Sequence, residues 1–126
     1  MKVLFFGCGP RPLPPELAEH GIIVEWPDFL GRHGRDKRLV DSLEKRVRSG
    51  TFAALVLWSA QVGHSSADFL IEAANKVAVR VIRRVRPTKA GLAEVTALLT
   101  AYKKEIDALM AECPEVRDAY AEYDEK

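Results

Sequence analysis

The chain has little of what usually betrays a function. Its 126 residues include two cysteines and three histidines, and its charges nearly cancel, 19 Lys and Arg against 18 Asp and Glu. A net charge of +1 excludes a uniformly basic nucleic-acid binder and an acidic solvating chain. The longest apolar runs, Val3 to Phe6 and Phe52 to Trp58, fall far short of the ~20 residues that span a bilayer. No basic leader followed by an apolar stretch opens the sequence, so no secretory signal is expected. Cys8 and Cys113 lie far apart, compatible with a structural disulfide or with two free thiols. Without secreted features, a reduced, cytoplasmic protein is the better reading. His20, His33 and His64 are scattered without ligand spacing, which argues against zinc, and neither metal nor cofactor is expected.

The remainder is ordinary globular material, 48% hydrophobic and 29% charged, which excludes a disordered tail or a disulfide scaffold. Its length suits one domain with one core. Lys2 to Gly7 is a short apolar run closed by glycine, read as a buried strand entering a turn. Four prolines between Pro10 and Pro15 confine the next helix to about Pro15 to His20, and Ile22 to Trp26 forms a second strand. Leu39, Val40, Leu43 and Val47 make one helical stripe between Asp36 and Ser49, with Gly50 as its stop. Phe52 to Trp58 is continuously apolar, as in a strand covered on both faces. Ser65-Ser-Ala-Asp68 reads as a capping pattern for a helix reaching Lys76, and Val79 to Val85 is a charged, edge-type strand.

Thr88 caps a last helix expected to reach Cys113, where Pro114 ends it. At 1.5 Å per residue that helix is about 37 Å long, roughly twice the length of a short strand. Either it breaks, or its second half packs outside the sheet. Strands alternating with helices predict an α/β fold, a three-layer, flavodoxin-like parallel sheet of about four strands in the order 2-1-3-4. Residues 1–100 would form this Rossmann-like domain, and residues 101–126 a helical extension with an acidic tail.

Such sheets bind ligands beyond the carboxyl ends of their strands, at the switch point between strands one and three. That geometry selects two loops, Gly7 to Pro14 and Ser59 to Ser66. Gly7-Cys-Gly9 resembles the start of a dinucleotide fingerprint, but the third glycine position is Pro12. Cys8 stands where a cysteine phosphatase carries its nucleophile, yet Pro14 replaces the phosphate-clamping arginine. Arg11 could help hold an anion and lower the Cys8 pKa, whereas a small buried cysteine is the simpler reading. No aspartate ends the third strand, which removes a phospho-acceptor role.

Gly63-His-Ser-Ser66 leads into a helix whose first N–H groups favour anions. His64 could donate a hydrogen bond or act as a base; on the simpler account Ser65 caps the helix and His64 merely pins the loop. Charge is strongly segregated along the chain. Residues 76–89 hold six bases and no acid, while residues 105–126 hold eight acids and two bases. Arg83, Arg84 and Arg86 thus make an anion site if they share the strand-carboxyl face, or a solvated face covered by the acidic tail if they do not.

Several of these segments resemble the bacterial family known as domain of unknown function 2325. The likeness rests on Arg35-Asp-Lys-Arg-Leu39, Ala54-Leu-Val-Leu-Trp58, Val62-Gly-His-Ser65, Ala73-Ala-Asn-Lys76, the strand ending in Arg83-Arg84, and Gly91-Leu-Ala. Phe6-Gly-Cys-Gly-Pro-Arg11 resembles the family's Gly-Gly-Arg turn, with cysteine and proline intruding. The resemblance covers roughly residues 1–100 and implies a compact Rossmann-like sheet in a cytoplasmic bacterial protein, with attention to His64. It brings no activity with it.

Three functions are carried forward. The first is a non-enzymatic module binding a nucleotide or nucleic-acid phosphate through Gly9, Arg11, Gly63, His64, Ser65, Ser66, Arg83, Arg84 and Arg86. The second is a homodimer or other assembly formed through Tyr102, Ile106, Leu109, Met110 and Cys113 of the last helix. The third, with the least support, is a hydrolase or phosphotransferase using Cys8 or His64.

Overall fold

The computed structural model describes residues 1–7, 10–27, 37–58, 64–77 and 79–112. Four strands, β1 (Lys2–Phe6), β2 (Ile23–Glu25), β3 (Ala54–Trp58) and β4 (Arg80–Val85), form one sheet. All pairings are parallel, in the order β2-β1-β3-β4. Helices α1 (Pro15–Glu19), α2 (Lys37–Arg48), α3 (His64–Lys76) and α4 (Lys89–Glu112) alternate with the strands. The α/β architecture, the strand order and the long final helix therefore match the sequence expectation.

Period-two alternation distributes the central strands between two cores. Val3 and Phe5 of β1, with Ala54, Val56 and Trp58 of β3, pack against Leu17 of α1 and Val95 and Leu99 of α4. Leu4, Phe6, Leu55 and Leu57 face the opposite layer, meeting Val40, Leu43 and Val47 of α2 and Leu70, Ala73 and Ala74 of α3. Every residue of β3 is buried, as a strand covered on both faces requires. The charged strand β4 is at an edge, where such a sequence is tolerated.

Helix α4 is unbroken from Lys89 to Glu112. Thr88 caps it, its Oγ1 accepting the Gly91 N–H at 3.1 Å. Its buried residues, Gly91, Val95, Thr96 and Leu99, all lie in the first half. Beyond them Tyr102 and Ile106 still pack on the sheet core, while Leu109 is 51% exposed. The length problem is thus resolved without a break: the helix crosses the sheet and continues past it. Helix α3 begins at His64, two residues before the first helical position that a Ser65 cap would give, so Ser65 lies within the first turn rather than at the cap.

Candidate functional site

Because the sheet is parallel, one edge collects the carboxyl ends of all four strands and the amino ends of the helices that follow. β1 leaves this edge across the end of β3. Gly7 has φ +130°, and a Cβ there would lie 2.4 Å from the Trp58 carbonyl oxygen. Glycine is therefore required at the switch point between β1 and β3, a close-approach role consistent with the simple-turn reading of this residue. Cys8, Gly9 and Gly63 lie outside the described residues.

Helices α2, α3 and α4 carry no acidic residue in their first turns, the end where the helix dipole is positive. His64, Ser65 and Ser66 make up the first three positions of α3. Arg11 reaches across from the proline-rich loop, its Nε donating to the Pro87 carbonyl at 3.2 Å. This hydrogen bond ties the loop after β1 to the loop before α4. Pro87 belongs to a tight connection in which the Thr88 N–H donates to the Arg86 carbonyl at 2.8 Å. Arg83 and Arg86 are exposed at the end of β4.

The strand divides the basic stretch that the sequence presents as one block. Val56 pairs with Ile82 and Trp58 with Val85, so Arg83 and Arg84 together oppose the single residue Leu57. This is a β-bulge, a device common beside functional sites because it re-aims a strand. Arg80, by contrast, starts β4 and belongs to the amino edge. Its guanidinium lies 4.7 Å above the Tyr102 ring and 3.5 Å from the Glu105 carboxylate. One member of the basic stretch thus meets an acid of α4, while Arg83 and Arg84 occupy the carboxyl end of the same strand and Arg86 directly follows it.

An aromatic group not anticipated from the sequence completes this edge. The Trp26 and Trp58 rings are stacked, with centroids 5.5 Å apart and planes 12° from parallel. Phe5 meets both edge-on, at 5.0 and 5.2 Å. Trp58 is 3% exposed, and its Nε1 has no hydrogen-bond partner among the described residues. The available sequence signal was a tryptophan ending a fully buried strand, where the indole N–H still needs a partner.

Glu25 of β2 and Arg46 in the last turn of α2 form a bidentate ion pair, with both N···O separations at 2.5 Å. The Arg46 hydrogen bonds hold the Glu25 carboxyl below its ordinary range, and burial opposes them only in part. Arg46 also lies 4.8 Å above the Phe52 ring, so the pair joins β2, α2 and the start of β3. Among the described residues, no three His, Cys, Asp or Glu side chains are grouped as metal ligands. No described helix is long and apolar enough to cross a membrane.

No protein-family model, curated protein or solved structure matches the chain.

Proposed function

We propose that the protein is a non-enzymatic binding module for an anionic ligand, a nucleotide or the phosphate of a nucleic acid, held at the carboxyl edge of the sheet. The observation that carries this reading is the bulge in β4, which sets Arg83 and Arg84 opposite one residue at that edge. Support comes from the exposed Arg83 and Arg86 and from three helix amino ends without first-turn acids. The Arg11 hydrogen bond to Pro87 adds to it by tethering another cation near β4. Cys8, the nucleophile of the least supported reading, lies outside the described residues, and the proposal is one of binding alone.

Titration with nucleotides and short oligonucleotides at low salt tests the proposal. Affinity should fall steeply as salt rises, and replacing Arg83 and Arg86 by alanine should weaken binding and flatten the salt dependence by about one unit per lost phosphate contact. Absence of saturable binding would refute it.

A second reading, self-association through α4, is favoured by Leu98 and Leu109, exposed at 48% and 51%. Eleven positions apart, they recur on one helical face. Of the residues expected to form this interface, Tyr102 and Ile106 instead pack against the chain's own core, Met110 is half-buried, and Cys113 lies outside the described residues. Native mass measurement decides this reading: a dimer that Leu98→Glu with Leu109→Glu converts to monomer supports it, and a monomeric wild type excludes it.

A further inference from the structure

We infer that Trp58 is a ligand-binding residue whose indole N–H donates to a neutral acceptor on a nucleobase, so that the anionic ligand is a nucleoside phosphate bound at two chemically distinct points. The inference rests on the anion-binding reading above and extends it from phosphate to base. Trp58 ends β3 at the switch point, and its buried Nε1 lacks a partner among the described residues. A buried donor without an acceptor carries the full desolvation penalty of an unmade hydrogen bond, and native structures rarely leave one without a reason.

The surroundings select the kind of acceptor. Trp58 lies against Trp26 and Phe5, and an aromatic, nearly dry environment penalises a phosphate's charge far more than a carbonyl oxygen or ring nitrogen. Trp26 beside Trp58 is only half-buried, and planar heterocycles pack favourably on an indole, as bases do on aromatic side chains of nucleic-acid binders. The exposed Arg83 and Arg86 present the complementary chemistry, planar guanidinium groups whose forked N–H donors match phosphate oxygens, in a wetter setting. A nucleoside phosphate carries both parts in one molecule. A free nucleotide and a nucleic-acid strand share them, and the test separates these sources.

The chain has two tryptophans, so its indole N–H groups can be followed individually by NMR once Trp26→Phe assigns them. ADP, inorganic pyrophosphate and a short oligonucleotide are titrated into the full-length protein. ADP should move the Trp58 indole proton downfield, whereas pyrophosphate should bind without moving it. A shift produced by the oligonucleotide but not by ADP also supports the base contact and assigns it to a nucleic-acid strand. Trp58→Phe should weaken binding of the base-bearing ligand about tenfold and leave pyrophosphate affinity unchanged. The resonance measurement does not depend on that variant folding. If ADP or the oligonucleotide binds with the expected salt dependence while the Trp58 resonance stays in place, or if pyrophosphate moves it equally, the base contact is overturned and the anion site stands. If none of the three binds, both fall.

Discussion

At Gly7 a hydrogen stands where any other residue would drive a Cβ into the backbone of β3. Gly7→Ala combines that clash with an unfavourable φ of +130° and should cost about 2–4 kcal/mol, read from the urea midpoint. A change within about 0.5 kcal/mol would show that the turn relaxes freely. The Glu25–Arg46 pair makes a smaller, pH-dependent contribution. Because the Glu25 pKa is lowered in the folded protein, its stabilisation is fully present above the ordinary carboxylate range and is lost as pH falls through the depressed value. Both side chains are more than a third exposed, so Glu25→Gln should cost less than about 1 kcal/mol at neutral pH. The gap between variant and wild type should close in acid, as denaturation curves collected across pH would show.

At the scale of elements, α4 has two unlike halves. Leu99 is fully buried and joins the sheet core, so Leu99→Ala should lose about 2–5 kcal/mol. Leu109 is half-exposed, and Leu109→Ala should stay within about 0.5 kcal/mol in a monomer. The apolar spacing of α4 could be read from sequence, but which apolar residues meet the core could not. Leu98 and Leu99 are chemically equivalent, and only the crossing of the helix over the sheet buries the second. β4 shows the same limit. Its charge correctly indicated an edge, yet nothing in Arg80 to Arg86 announced the bulge or sent Arg80 and Arg83 to opposite ends of one strand. The aromatic trio was hidden for a related reason: Phe5 and Trp58 belong to β1 and β3 and Trp26 directly follows β2, and only the parallel register brings their rings together.

For the whole molecule, the strand order was accessible because each buried strand and each amphipathic helix announced itself locally, and parallel pairing restricts the arrangements. The same topology polarises the charges. Lys103–Asp107 and Arg80–Glu105 engage acids of α4 with neighbouring bases away from the proposed site, while Arg83 near the end of β4 and Arg86 just after it stand at the carboxyl edge. A near-zero net charge is therefore compatible with a basic ligand edge, and total charge was the wrong quantity from which to exclude one. The central claim, that ligand binds at this edge, is tested most directly by mapping backbone amide shifts during an ADP titration at low salt. The account predicts shifts concentrated at residues 64–66, 83–86 and 88–91. Shifts concentrated at the amino edge, around Gly21, Thr51 and Val77, or none at all, would contradict it.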